Sequence, residues 1–292
     1  MSAVSSELIS GRKTFFVAPE LTILPEESLK FFYQLGYETH CLNDDFILPL
    51  RDKVKLLAEM FPELILFFNV DRRVSGISWP KFIEEIQHEY GDRAVIGVQY
   101  NKRSDINEIR DIERRYLFDI GISGGCVPIE YQKSRNLDLL TKVLAANQAN
   151  GRRRHLRAVC NEACKLTISH RGRTWKGHLR DVSVSHFSVT FTGEIPDIPL
   201  YEKIEKIQLF LRGVMCNVTG VLCLKRVVGR DNIHVFVFRT ASDREGLDPE
   251  QLERVNNYVY STCNEKVSNL LRDGFTAARN GLVVPGKTEL AG

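Results

Sequence analysis

Four arginines lie within six residues near the middle of the chain, between positions 152 and 157. Residues 151–157, GRRRHLR, are called the arginine segment below. A guanidinium group is a planar fork of donors that grips phosphate through two hydrogen bonds, stacks on a purine ring, or donates to the O6 and N7 atoms of guanine. Three residues separate Arg153 from Arg157, so two such forks converge on one compact anion when the backbone is extended or turning. The segment therefore indicates a local anion site; the alternative is a basic linker that is merely solvated.

A carboxylate and a hydroxyl follow further along the chain, in the sequence DVSVSH that begins at Asp181. Side chains alternate between the two faces of a strand, so Asp181 and Ser183 share a face if this stretch is extended. A carboxylate there accepts the N1–H and N2–H donors of a guanine, and the hydroxyl adds a further bond. The alternative is an ordinary surface pair at a strand end.

The N-terminal half, residues 13–147, alternates apolar strands with amphipathic helices. Residues 63–70 are a near-continuous apolar run, which is the pattern of a parallel strand covered on both faces. In residues 79–90 the large apolar side chains recur at helical spacing on one face. Five strand–helix units predict an α/β domain with an open parallel sheet and right-handed crossovers.

After a polar break at residues 147–151 the pattern changes to short strands separated by turns, among them 163–169, 174–180 and 187–191. Because no helix intervenes, an antiparallel barrel or sandwich is expected. A helix from Pro249 to about Arg272 has an apolar face that would pack on the barrel. We predict domains at 13–147 and 148–278, followed by a flexible tail at 279–292.

The two polar segments, in this order on an all-β half, resemble the signature of the PilZ family. That signature is R-R-x-x-x-R just before a six-stranded barrel, then [D/N]-x-S-x-x-G on the following strands. Residues 152–157 match the first part completely, and residues 181–186 match the second except at its last position. The strand series and the closing helix also agree, so that the resemblance covers about residues 148–275.

The resemblance implies a six-stranded barrel with a C-terminal helix that binds cyclic di-GMP. By analogy with the family, Arg152, Arg153 and Arg157 would contact the phosphates and the guanine edges. Asp181 and Ser183 would hold a guanine base. The implied function is that of a receptor that relays ligand binding to a partner.

One departure from the family pattern opens an alternative. The family usually has small residues, often two glycines, where this chain has Ser185 and His186. A glycine permits positive φ or close approach of a ligand to the backbone, so His186 would block the guanine, impose another pose, or stack on the base. The alternative function is a degenerate PilZ-like adaptor that no longer binds cyclic di-GMP and acts through protein contacts, for example in motility or surface machinery.

The N-terminal half resembles a response-regulator receiver in its order of strands and helices, without the residues of receiver chemistry. The phosphoacceptor aspartate of that family falls at Asn69, whose amide forms no acyl phosphate, and Asp71 would serve only after a register shift. Gln99 stands near the family's Ser/Thr, and Val127-Pro128 stands in place of its Lys-Pro. The resemblance implies a pseudo-receiver used for docking or for homodimer formation.

The composition is that of an ordinary globular chain, with 43% hydrophobic residues and a net charge of +3 from 40 Lys+Arg and 37 Asp+Glu. Such a balance does not favour wholesale binding to DNA, and the longest apolar runs are too short for membrane insertion. The N-terminal sequence has no secretory pattern. Seven scattered cysteines, an odd number, form no disulfide framework, so we expect a cytoplasmic protein.

The common enzyme motifs are absent: the sequence has no P-loop, no G-x-G-x-x-G after a strand, no G-x-S-x-G and no H-E-x-x-H. Cys160 and Cys164 are spaced as C-x3-C, but no second pair follows at zinc-site spacing. We therefore predict a non-enzymatic signalling protein without a metal or cofactor. Its suspected ligand is cyclic di-GMP and its protein partner is unidentified; an enzyme of unrecognised type is the third alternative.

Overall fold

The computed structural model describes residues 11–280. Contacts divide the chain into two compact units. Among the described residues, the α/β unit comprises residues 11–154 and 266–280, and the barrel unit comprises residues 155–265. The tail expected at 279–292 lies outside the described residues except for Arg279 and Asn280.

Five parallel strands form the sheet of the α/β unit: β1 (Lys13–Val17), β2 (Thr39–Leu42), β3 (Leu64–Asn69), β4 (Ala94–Asn101) and β5 (Gly125–Ile129). Their order in the sheet is β2-β1-β3-β4-β5. In this doubly wound arrangement the order reverses between β1 and β3, so the carboxyl ends of those two strands flank a crevice. The predicted parallel sheet is confirmed.

The helices of this unit are α1 (Glu26–Gln34), α2 (Leu50–Met60), α3 (Trp79–Tyr90), α4 (Ile106–Glu113) and α5 (Lys133–Ala146). A π-helical turn, Arg114–Ile120, continues α4 and ends at Gly121, whose φ is 79°. All six residues of the central strand β3 are buried. Helices on both sides of the sheet explain this burial, and Phe68 of β3 meets Trp79 and Phe82 edge-on at 5.9 Å.

The barrel unit contains seven strands: β6 (Ala158–Val159), β7 (Lys165–His170), β8 (Arg173–Val182), β9 (His186–Phe191), β10 (Lys203–Leu211), β11 (Val214–Val228) and β12 (Asp231–Arg239). Six of them form a ring in the order β8-β7-β10-β11-β12-β9, and the pairing of β9 with β8 closes it. The short strand β6 is attached to β8 alone. The predicted six-stranded antiparallel barrel is confirmed.

Aromatic side chains fill the barrel between β9 and β12. Phe187 lies directly opposite Phe236 in the ladder, and their rings stack with centroids 5.1 Å apart. Phe238 packs beside Phe187 at 5.2 Å, and all three side chains are fully buried. Fully burying a phenylalanine side chain contributes about 1.5–3 kcal/mol, so this cluster is a large part of the core of the barrel.

One long helix, α6 (Pro249–Arg279), follows the barrel and is longer than the predicted helix, which ended near Arg272. Up to residue 265 it belongs to the barrel unit, where the Tyr258 hydroxyl lies 3.1 Å from the Cys164 thiol. From Lys266 onward it belongs to the α/β unit, whose hydrophobic core includes Val267 and Leu271. The prediction that residues 148–278 fold as one domain remains open to a test on that fragment.

Within residues 11–280, none of the helices combines the length and the apolar character needed to cross a bilayer.

Candidate functional site

The two-residue strand β6 fixes the end of the arginine segment. Ala158 pairs with Val182, and Val159 pairs with Asp181, in an antiparallel ladder. The Cys160 N–H continues this ladder by donating to the Arg180 carbonyl at 2.8 Å. Arg157 directly precedes β6 and is therefore held beside the end of β8.

A β-bulge in β8 sets the direction of Asp181. The register with β9 shifts between Leu179, which pairs with Val189, and Asp181, which pairs with Ser188. Leu179 and Val182 are both buried although three positions separate them, which strict alternation along a strand would not allow. The extra residue at the bulge thus turns Asp181 away from the barrel interior.

Arg157 and Asp181 form a loose ion pair at this position. The Arg157 Nη1 and Asp181 Oδ1 atoms are 3.9 Å apart, and the two side chains are 30% and 22% exposed. That separation exceeds hydrogen-bond length. Asp181 Oδ1 is itself buried and has no hydrogen-bond partner among the described residues. A ligand that donates N–H groups therefore reaches this carboxylate first through the exposed part of the side chain.

Two hydroxyl groups that sequence reasoning missed lie next to this carboxylate. Ser188 is directly opposite Asp181, and Thr190 lies two residues further along β9 on the same face. In the described part of the chain, the buried Oγ of Ser188 and Oγ1 of Thr190 lack hydrogen-bond partners. The signal in the sequence was the alternation of β9, HFSVTF, in which polar residues occupy the face opposite the core. Asp181, Ser188 and Thr190 are called the polar row below.

Ser183 is used by the turn between β8 and β9. Its N–H donates to the His186 carbonyl at 2.9 Å, and its hydroxyl oxygen accepts from the N–H groups of Ser185 and His186 at 3.3 and 3.2 Å. The side chain is fully buried. Ser183 therefore stabilises the turn that follows Asp181, and its expected contact with a guanine stays a prediction.

His186 opens β9 with its ring held by neighbouring hydroxyls. Its Nδ1 lies 2.7 Å from the Ser185 Oγ and 3.2 Å from the Ser183 Oγ. Neither Ser185 nor His186 is among the non-glycine residues with positive φ in the described chain. The backbone at the family's glycine positions is thus one that any residue adopts, and what the histidine changes is the space available to a ligand.

The first three arginines of the segment belong to the α/β unit, as its last residues before the barrel unit. Arg152, Arg153 and Arg154 are all exposed, and none of them has a recorded ion pair within residues 11–280. Arg157 follows in the barrel unit, beside Asp181. Within residues 11–280, these three adjacent guanidinium groups of the α/β unit therefore have no carboxylate counter-charge.

The carboxyl edge of the parallel sheet, where a receiver would carry its chemistry, is occupied by a closed polar network. Asp71 Oδ1 accepts from Arg103 Nη2 at 2.6 Å, and its Oδ2 accepts from the Asn101 N–H at 2.6 Å. Asn69 and Gln99 are buried at the ends of neighbouring strands. Because both oxygens of Asp71 are already engaged, this edge offers no available carboxylate at that position.

The buried thiols and two surface depressions lie apart from these features. Burial raises the pKa of Cys160 to about 12, so the thiol is a poor nucleophile at neutral pH. The described residues contain no group of three or more side chains arranged to hold a metal ion. The barrel surface has two open depressions, and neither includes Arg157 or Asp181. One is lined by Arg173–Lys176, Thr192 and Glu194. The other is lined by residues 195–197, 225–227 and 232–234.

Comparison with known protein families finds no match, and comparison with curated proteins finds none either. Among solved structures, the chain is similar to the PilZ domain with c-di-GMP of YcgR from Escherichia coli, with 14% identity, a TM-score of 0.33, and coverage of 40% of this chain and 96% of that one.

It is also similar to the K. pneumonia MrkH–c-di-GMP complex, with 14% identity, a TM-score of 0.31, and coverage of 44% of this chain and 55% of that one. For Borreliella burgdorferi PlzA in complex with c-di-GMP the identity is 17%, the TM-score 0.25, and the coverage 44% of this chain and 48% of that one. The chain thus spans about half the length of these two proteins. None of the matches confirms the receiver-like assignment of the N-terminal half, and the function has to be inferred from the residues themselves.

Proposed function

We propose that this chain is a non-enzymatic receptor for cyclic di-GMP, which it binds at the arginine segment and the outer face of the barrel. The observation that carries the proposal is the Asp181 carboxylate. It lies beside Arg157, it is partly desolvated, and its Oδ1 has no hydrogen-bond partner among the described residues.

The chemistry of this carboxylate selects a guanine base. A carboxylate has only acceptors, so its natural ligand is a group with two adjacent N–H donors, which guanine presents at N1 and N2. Adenine lacks that pair of donors. Within residues 11–280, the Ser188 and Thr190 hydroxyls on the same face also lack a hydrogen-bond partner, and both oxygens are buried beside the carboxylate.

The arginines upstream supply the complementary charge for a phosphate diester. Arg152 and Arg153 are exposed and have no ion pair within residues 11–280, so they remain available for charge-assisted hydrogen bonds to phosphate oxygens. Arg157 is placed to reach either a phosphate or the O6/N7 edge of a guanine. A ligand that combines guanines with phosphates in one compact ring carries both kinds of group that these side chains bind.

Binding would be relayed to a protein partner that the sequence does not identify. The α/β unit is the candidate for that contact or for homodimer formation, because its sheet edge carries a closed network in place of receiver chemistry.

A second function is favoured by two particular observations. Ser183 is committed to the turn, and His186 occupies the position where the PilZ family has a glycine. If these features exclude the base, the chain is a degenerate PilZ-like adaptor that acts through protein contacts alone.

Calorimetric titration of the full chain with cyclic di-GMP separates the two functions. For a receptor, Arg153→Ala and Arg157→Ala each weaken binding by about 1.5–3 kcal/mol, which is about ten- to more than a hundredfold in affinity. Arg173→Ala is the matched control, because this exposed arginine of β8 forms only a 3.7 Å pair with Glu194. No binding by wild type or variants at high micromolar ligand would eliminate the receptor and leave the adaptor.

A further inference from the structure

The polar break between the two halves is folded onto the α/β unit. Gln148 adopts the left-handed conformation with φ 55°, and its N–H donates to the Ala145 carbonyl at 3.0 Å. The Ala149 N–H donates to the Leu144 carbonyl at 2.9 Å, which completes a Schellman cap on α5. Ala149 is 1% exposed. A stretch whose composition suggests a loose linker is therefore an ordered end of the α/β unit.

Two glycines allow this stretch and the arginines after it to approach the backbone of the α/β unit. At Gly11 (φ +85°) an added Cβ would lie 2.3 Å from the Ala149 carbonyl oxygen. At Gly36 (φ +89°) it would lie 2.6 Å from the carbonyl oxygen of Arg154. Both separations are far below any real Cβ contact, and the opposing atoms are backbone atoms that cannot rotate away. The chain from Ala149 to Arg154 is thus held at both ends.

The side chains displayed on this held backbone are the three arginines. Some arginines of the α/β unit have carboxylate partners, such as Arg103 with Asp71, whereas others, such as Arg72 and Arg73, form no ion pair within residues 11–280. No such partner is recorded for Arg152, Arg153 or Arg154 within residues 11–280. Three like charges on adjacent residues repel one another, so a backbone that keeps them together without an acidic neighbour favours binding of an anion.

We propose that the α/β unit preorganises the phosphate-binding arginines, and that Gly36 is the positioning residue that permits it. This inference rests on the proposed cyclic di-GMP function and assigns the N-terminal half a part in affinity. Ordering long side chains and their loop at the moment of binding weakens association, so a backbone already fixed in the free protein raises affinity without adding a contact.

Gly36→Ala tests the proposal against Gly121→Ala. Both glycines follow a helix and have φ near +80 to +90°, so both alanines carry the same left-handed strain. A Cβ at Gly121 meets nothing within 4 Å, whereas at Gly36 it displaces Arg154. We expect Gly36→Ala to weaken cyclic di-GMP binding by about five- to tenfold and Gly121→Ala by less than about twofold, the range for one or two side chains that must be ordered anew.

Two further readouts distinguish positioning from general damage. Because the contacts in the complex stay the same, Gly36→Ala should leave unchanged both the salt dependence of affinity and the preference for guanine over adenine dinucleotides. In the ligand-free protein, trypsin should cleave after Arg152, Arg153 or Arg154 faster in Gly36→Ala than in Gly121→Ala, because a backbone that is not held enters the protease more readily.

The possible outcomes distinguish failure of the preorganisation proposal from failure of the proposed cyclic di-GMP binding. If wild type and Gly36→Ala bind cyclic di-GMP equally well, the preorganisation proposal is wrong and the receptor function is supported. If wild type does not bind, both are wrong. Should Gly36→Ala fail to fold, wild type decides alone: the chain at residues 152–154 must resist trypsin before ligand is added, and resistance that arises only with ligand overturns the proposal.

Discussion

Replacing Asp181 with alanine should weaken ligand binding while leaving the free protein almost as stable as before. Asp181 contributes little to the ligand-free fold because its ion-pair partner among the described residues, Arg157, is 3.9 Å away and partly exposed. Such pairs are worth about 0–1 kcal/mol. Its Oδ1 is buried without a hydrogen bond, and removing an unsatisfied acceptor offsets that small loss. We therefore expect the free energy of unfolding to change by less than about 1 kcal/mol.

The effect on binding should be larger, because the carboxylate would accept two N–H donors of a guanine. Loss of a charge-assisted contact of this kind costs about 1.5–3 kcal/mol, or about ten- to more than a hundredfold in affinity. The loss should fall mainly on base discrimination. Phosphate contacts are blind to the base, so Asp181→Ala should reduce the ratio of affinities for guanine and adenine dinucleotides more than Arg157→Ala does.

Calorimetric titration with cyclic di-GMP and cyclic di-AMP measures both quantities, and thermal unfolding without ligand measures stability. Asp231→Ala is the matched control, since Asp231 is a half-exposed aspartate of the same barrel that pairs with Arg180. The reasoning fails if Asp181→Ala and Asp231→Ala reduce affinity equally, or if Asp181→Ala destabilises the free protein by several kcal/mol.

The remaining predictions concern three other positions. His186→Gly should raise affinity for cyclic di-GMP, because the backbone there needs no glycine and loss of the ring opens space for a ligand. A lower affinity in the same titration would mean that the histidine stacks on the base. Burial lowers the pKa of His234 in the folded protein. The contribution of this histidine to stability is therefore complete above the pKa of the unfolded chain, about 6.5, and is lost as pH falls through the lowered pKa of the folded state. Between pH 7 and pH 5 the melting temperature should fall less steeply for His234→Phe than for wild type, and parallel curves would contradict this. The N-terminal half should form no adduct with beryllofluoride or acetyl phosphate. Asn69 is an amide, and Asp71 already accepts hydrogen bonds from Arg103 and from the Asn101 N–H. A stable Mg²⁺-dependent adduct on Asp71, detected by mass spectrometry, would show the opposite.

Hydrophobic periodicity was sufficient to predict both architectures. The apolar run of β3 and the one-faced helix α3 indicate a covered parallel sheet, and the confirmed strand order agrees. The alternation of β9, with polar residues between Phe187, Val189 and Phe191, likewise indicates a strand with one face on a core.

The features that shape the candidate site were beyond such patterns. Strand β6 is two residues long and has no periodicity to detect, and the bulge before Asp181 depends on register with β9 rather than on local sequence. Alternation along a continuous strand predicts that Ser183 shares a face with Asp181. In the structure a hairpin turn begins at Ser183 instead. The composition near Asn150 indicates a break between helix and barrel. It does not indicate that this segment packs closely on the α/β unit, because that packing depends on glycines distant in sequence.

Helix α6 imposes an order on the folding of the newly made chain. Val267 and Leu271 belong to one hydrophobic cluster of the α/β unit, and the other buried members of that cluster precede residue 123. These two residues are synthesised only after the whole barrel. At about 5–20 residues per second, the roughly 120 residues between the end of α5 and Leu271 delay completion of the first core by about 6–25 s. During this interval the apolar surface that the last helix covers is exposed, so the N-terminal half should depend on chaperones during synthesis more than the barrel does.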